Sequence, residues 1–172
     1  MIRILSCQLP DNAYLLRYRD SGAYTDCYQC TIDSQRSHAD FVMAFYTTWL
    51  FKLERKILAW AVNRPSTDAQ AMELAQGQRD RFAAWDVECR SLDQLLLRDL
   101  HGRTRSWLMT TPIVGNSGTR LYFGSAVVPR ADPTAETASP GFPFRALLGF
   151  HKIYSRCLLR AACAKLRRQI TL

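Results

Sequence analysis

RALLGFHKIYSRCLLRAACAKLRRQITL, residues 145–172, carries seven cationic side chains and no carboxylate. The chain has a formal net charge of +8, so residues 1–144 contribute only the small remainder. At about 100° per residue, with Lys152 at the origin, Arg145, Arg156, Arg167 and Arg160 all fall within about 80° on one side. Leu147, Phe150, Tyr154, Cys157, Leu158 and Ala161 fall between about 140° and 240°. The pattern predicts one long helix, an apolar face turned to a core and a basic face turned away.

Upstream of this helix the period is two. Ala83, Trp85, Val87 and Cys89 alternate with Ala84, Asp86, Glu88 and Arg90, which predicts a strand with one wet face. Asp93–Leu100 and Arg103–Thr111 read as a hairpin turning at His101-Gly102. Thr119–Val128 supplies a further strand after Gly115-Asn116-Ser117-Gly118. A Pro-rich loop, 129–144, leads into the basic helix, 145–169.

Earlier still, residues 23–33 alternate as a strand. Ser37-His38-Ala39-Asp40 has capping-box spacing and predicts a helix start. A second helix, Leu50 to Asn63, is expected to bury Leu50, Leu53, Ile57 and Trp60 and to stop before Pro65. A third, Thr67 to Gln76, is closed by Gly77. Residues 1–20 form an N-terminal segment. One strand, two or three helices, four antiparallel strands and a terminal helix define an α+β domain in two layers spanning 1–172.

Composition sets the outer limits. At 172 residues with 48% hydrophobic and 11% aromatic content, the chain is long and apolar enough for one packed domain. No run reaches the roughly 20 apolar residues of a spanning helix. The apolar part of Met1–Pro10 is too short for a secretory signal, so the expectation is a cytoplasmic protein whose six cysteines are free thiols.

Four segments carry a resemblance. Tyr24-Thr25-Asp26-Cys27-Tyr28, Phe51-Lys52-Leu53-Glu54-Arg55-Lys56-Ile57-Leu58, Asp99-Leu100-His101-Gly102-Arg103-Thr104-Arg105-Ser106 and Gly149-Phe150-His151-Lys152 resemble an uncharacterised bacterial branch of the START-like and polyketide-cyclase superfamily. Members of that branch occur alone or fused behind NAD-binding epimerase-like domains. The resemblance implies the helix-grip fold, a curved antiparallel sheet wrapped around the C-terminal helix and enclosing a cavity for a small apolar ligand. It implies no particular activity.

Candidate site residues come from polar groups on apolar faces. Cys27-Tyr28-Gln29-Cys30 has C-x-x-C spacing, but in a strand residues i and i+3 point to opposite faces, so the two sulfurs do not chelate one ion. Asp26 shares a strand face with Tyr24, Tyr28, Cys30 and Ile32. An inward carboxylate needs a partner or a proton. Arg105, on a face with Trp107 and Met109, is the candidate; the two form either a pair that fixes register or polar anchors of a pocket. His151 lies at about 260° on the helix wheel, at the edge of the apolar face. It is either a satisfied core residue or, with Tyr154, a cavity group able to transfer protons. His101 is a turn residue, and His38 is expected to be solvated. No metal or cofactor is expected from three dispersed histidines.

The basic stripe reads as a solvated face, or as a surface for an acidic protein or an anionic membrane. Nucleic acid is disfavoured, since neither a recognition-helix motif nor an aromatic RNA-binding strand is present. Three classes of function follow. One is a binding module that holds a lipid, polyketide or aromatic compound through Asp26, Tyr28, Arg105, Trp107, His151 and Tyr154. Another is a cyclase- or dehydratase-like enzyme on the same cavity, with His151 and Asp26 as proton-transfer groups. The third is an interaction protein working through the basic helix. Ligand identity and oligomeric state are not read from the sequence.

Overall fold

The computed structural model describes residues 2–115, 117–128 and 142–169. The expected 129–144 loop lies largely outside these residues. The chain is α+β: a curved, open, seven-stranded antiparallel sheet with all its helices but the short first one on one face. In chain order the elements are β1 (Leu5–Ser6), α1 (Leu16–Asp20), β2 (Tyr24–Ile32), α2 (His38–Tyr46), α3 (Trp49–Val62) and α4 (Asp68–Ala75). Then come β3 (Arg81–Phe82), β4 (Trp85–Arg90), β5 (Gln94–Asp99), β6 (Thr104–Pro112), β7 (Thr119–Val127) and α5 (Phe142–Arg168). The strand order is β1-β2-β7-β6-β5-β4-β3. Among the described residues no helix is long and apolar enough to cross a membrane.

Local chemistry sets most boundaries. Ser37 and Asp40 form the expected capping box at α2, with both reciprocal bonds at 3.1 Å. Thr67 and Gln70 repeat it at α4. Thr48 caps α3 through Phe51 N–H at 3.2 Å, and Asn63, left-handed at φ 51°, ends that helix two residues before Pro65. The hairpin turns where expected, and Gly102 supplies the positive φ of 67°.

Two of the expected helix faces are turned. In α5 the buried side chains described are Ser155, Leu158, Leu159, Ala162, Cys163 and Leu166, whose mean direction lies at about 310° on the same wheel. The anticipated apolar face was centred about 120° away. Cys157, on the expected apolar face, is exposed, while His151, at about 260°, lies near the Leu158 edge of the buried arc with its side chain 33% exposed. In α3, Leu53, Ile57 and Trp60 are 51%, 57% and 89% exposed, against the expectation of burial. Leu50 is half-buried. This helix packs inward through Phe51, Glu54 and Arg55 instead. Arg55 bonds Ser66 Oγ at 2.9 Å and Asp68 at 2.7 Å, so a polar anchor decides which side faces in.

The sheet has two filled faces. Tyr28, Cys30, Ile32, Leu108, Leu121 and Phe123 meet the helices. Cys27, Trp107, Met109, Tyr122 and Ala126 face the other way and are covered by Ala13 and Leu15 of the N-terminal segment. The expected two layers thus gain a partial third. Cys27 and Cys30 do point to opposite faces, but Cys30 is joined to Cys163 of α5 as a disulfide. That corrects the expectation of six free thiols. His38 is not solvated: its two ring nitrogens are buried and have no hydrogen-bond partner among the described residues. Burial lowers its pKa to about 4.

Gly124 marks the closest approach of the outer layer. A Cβ there would lie 2.8 Å from Leu15 Cδ1, 2.9 Å from the Asp26 carbonyl oxygen and 3.0 Å from Trp107 Cε3. The carbonyl belongs to the paired strand and cannot step aside. Gly124→Ala is expected to destabilise the protein by about 1–3 kcal/mol through overpacking; an unchanged urea midpoint would show that the segment does not seat there.

Candidate functional site

Strand β2 pairs with β7 over its full length, and the register sets Asp26 beside Ser125. Asp26 Oδ1 accepts from Ser125 Oγ at 2.6 Å and from Ser125 N–H at 3.1 Å. From α5, His151 Nε2 reaches the same Ser125 Oγ at 2.7 Å and lies 3.9 Å from Asp26 Oδ2. Tyr28 Oη donates to Asp26 Oδ2 at 3.4 Å. A serine hydroxyl has one proton. With that proton committed to the carboxylate, Ser125 Oγ accepts from His151 Nε2–H, and a neutral ring then presents Nδ1 as its acceptor. The order is acid, serine, imidazole. In a hydrolase triad the imidazole sits in the middle and accepts the serine proton, so Ser125 here relays rather than attacks.

Ser125 and His151 line a cavity of about 190 Å³ between the sheet and helices α2, α3 and α5. Phe45, Phe51, Trp85, Phe123 and Leu158 supply its apolar wall. Tyr154 of α5 donates a hydrogen bond to Glu54 Oε2 of α3 at the same cavity. Burial pushes the Glu54 carboxyl above the usual range, partly opposed by the Tyr154 hydrogen bond. Burial and the adjacent Glu54 push the Tyr154 phenol up as well. Two further cavity-lining residues, Trp85 and Ser155, have a buried Nε1 and Oγ without a hydrogen-bond partner among the described residues. Leaving such a group unpaired costs about 1–3 kcal/mol.

The expected site residues divide accordingly. Asp26 and His151 come together through Ser125; His151 and Tyr154 line the cavity, and Asp26 stands behind Ser125 without lining it. Tyr28 is buried beside Asp26 rather than lining the cavity. Trp107 is a correction, and Arg105 is one in part: it is among the residues lining the cavity, but its guanidinium is engaged elsewhere. They share a face, as read, but it is the outer one. Arg105 Nε pairs with Glu88 at 2.6 Å and bonds Tyr18 Oη at 2.7 Å, and its guanidinium lies 4.7 Å above the Tyr18 ring. It therefore does not neutralise Asp26. Trp107 is fully buried in the outer layer and donates to Gln94 Oε1 at 2.9 Å. Ser125, Glu54, Trp85 and Ser155 were not singled out from the sequence. Only Glu54 carried a signal, sitting one turn after Phe51 on the side of α3 that packs inward.

Among the described residues no group of three His, Cys, Asp or Glu side chains is placed to hold a metal. Compared with protein-family models, curated proteins and solved structures, the chain matches none.

The raised Glu54 carboxyl has a pH consequence. Between the ordinary carboxylate range and its raised value, the folded state holds a proton that the unfolded state has lost. Stability therefore falls as pH rises through that window. Glu54→Gln keeps an acceptor for Tyr154 and carries no charge, so it should exceed the wild type in stability at neutral pH and lose that component of the pH dependence. Urea unfolding at pH 4.5 and 7.5 (about the two sides of the window) measures this; identical pH profiles would place the Glu54 carboxyl in water.

Proposed function

We propose that the chain is a helix-grip protein of the START-like kind that holds one small apolar molecule with a polar substituent between its sheet and α5. The cavity carries this reading: aromatic side chains wall it, and unpaired polar groups, Trp85 Nε1 and Ser155 Oγ, belong to its lining residues. Its size narrows the ligand. An apolar cavity of about 150 Å³ takes up benzene, so about 190 Å³ suits a single ring with a short substituent. A lipid tail or a fused polyketide exceeds it. Of the broad ligand class expected from the resemblance, the aromatic member fits best.

The test is thermal unfolding with 4-methylphenol and acetophenone. At about one hundred times its Kd a ligand adds about 2.7 kcal/mol to the folded state, a melting shift that saturates with concentration. Ser155→Leu, which fills the cavity, should keep the fold and abolish the shift. No shift with either probe, or one that survives Ser155→Leu, would refute the assignment.

One observation favours catalysis on the bound molecule. The Asp26–Ser125–His151 chain and the Glu54–Tyr154 pair put two proton-transfer systems on one small cavity. In the enzyme reading His151 Nδ1 takes a proton from the ligand while Asp26, through Ser125, holds the ring in its Nε2–H tautomer. Exchange of the acetophenone methyl protons in heavy water, followed by NMR, tests this. Exchange by the wild type that falls at least about tenfold in both His151→Gln and Asp26→Asn supports it; binding without exchange leaves the protein a carrier.

A further inference from the structure

On the far side of β2 lies a second pair of reactive groups. Cys7, just past β1, donates its N–H to the Cys27 carbonyl at 3.0 Å, and the two sulfur atoms are 3.3 Å apart. Their main chains are already paired, so only a short closing movement separates two thiols from a disulfide. Cys27 is buried and Cys7 is half-buried. Both line a groove of about 590 Å³ at the open end of β2, where the two-residue β1 leaves that strand uncovered.

The groove is basic. Arg19, Lys152 and Arg156 line it against the single carboxylate of Asp26, and that carboxylate is turned to Ser125 and His151. Lys152 and Arg156 are positioned over the rings of Tyr24 and Tyr28, at 5.8 Å and 5.7 Å. The part of the C-terminal basic stripe nearest the sheet thus shares a groove with the thiol pair, across the edge of β2. The hydrogen bond with Cys27 and the field of Arg120 hold the Cys7 thiol below its usual range, against the opposing effect of burial. The same hydrogen bond and burial push Cys27 up. The outer thiol is the nucleophile and the inner one stays protonated until needed.

We propose that Cys7 and Cys27 are a redox-active dithiol that exchanges with a small anionic disulfide bound in this groove. Cys7 thiolate attacks one sulfur of the disulfide; a Cys7–S–S–R bond forms and RS⁻ leaves. Cys27 gives its proton to the departing thiolate or to water and attacks the Cys7 sulfur, which releases the second RS⁻ and closes the Cys7–Cys27 disulfide. Two protein thiols are oxidised and one small disulfide is reduced to two thiols. Lys152 and Arg156 attract the anionic groups of the reagent. The assignment does not depend on the apolar cavity, which neither thiol lines.

Oxidised glutathione is the probe, added to the full chain purified without reductant, with intact mass and peptide mapping as readouts. The wild type is expected to lose two hydrogens at Cys7 and Cys27, faster than exposed Cys157 gains a glutathionyl group. Cys27→Ser, or Cys27→Ala if the serine variant does not fold, should stop at a glutathionyl adduct on Cys7, and Cys7→Ser should form no internal bond. Lys152→Ala with Arg156→Ala should slow oxidised glutathione by about tenfold while leaving neutral 2-hydroxyethyl disulfide unchanged. Cys7 reacting no faster than Cys157, or both disulfides slowing equally in the charge variant, would overturn the proposal.

Discussion

The antiparallel pairing of β2 with β7 is the constraint on which the rest of this structure depends. It joins residues 24–32 to residues 119–127 across most of the chain. On its helix side it sets Asp26 against Ser125; on its outer side it leaves Gly124 bare for Leu15. Helix α5 then seats on the same strands. Cys163 is joined to Cys30, Arg36 bonds the Leu166 carbonyl at 3.1 Å and Arg167 bonds the Thr31 carbonyl at 3.2 Å. These ties fix the rotation of α5 about its axis. That rotation brings His151 to Ser125 and Tyr154 to Glu54.

The helix side of the sheet would be an ordinary core but for its polarity. Phe45 and Phe123 lie 4.7 Å apart with their rings tilted by 40°, and Phe51 lies edge-on to Tyr46 at 4.8 Å. Into that aromatic packing the fold brings a carboxyl, a phenol, an imidazole and two hydroxyls at one small cavity. A core selected for stability alone would fill the space with methyl groups and avoid desolvating Glu54. Polarity retained at such expense is the physical mark of a site. The edge of β2 carries different chemistry, two thiols in contact in a groove that Arg19, Lys152 and Arg156 also line.

Much of the fold was legible because it rests on local rules. The alternation of 23–33, the Ser37 capping box, the turn at His101-Gly102 and the long C-terminal helix all depend on residues within a few positions of each other. Faces were less legible. The wheel of α5 put the greasiest arc inward, yet Ser155 and Cys163 are buried while Cys157 and Ile153 are exposed. In α3 an arginine was buried and a tryptophan left in water, because Arg55 finds Ser66 and Asp68 across a short loop. Hydrophobicity averaged over one helix cannot register such partners.

The candidate site shows the same division. Asp26 and His151 could be picked out singly, each as a polar group on an apolar face, but their connection through Ser125 could not. Ser125 is an unremarkable strand serine until the β2–β7 register places it beside Asp26. Arg105 was a sound partner by charge and is on the wrong side, since face parity within one strand does not say which face of the sheet that strand shares with another. By itself the sequence determined the elements, their order and the burial of a few polar groups, because propensity, capping and periodicity act over short separations. Only the tertiary structure decided which of those groups meet, because strand register and helix rotation are set by contacts between residues 87 to 136 positions apart.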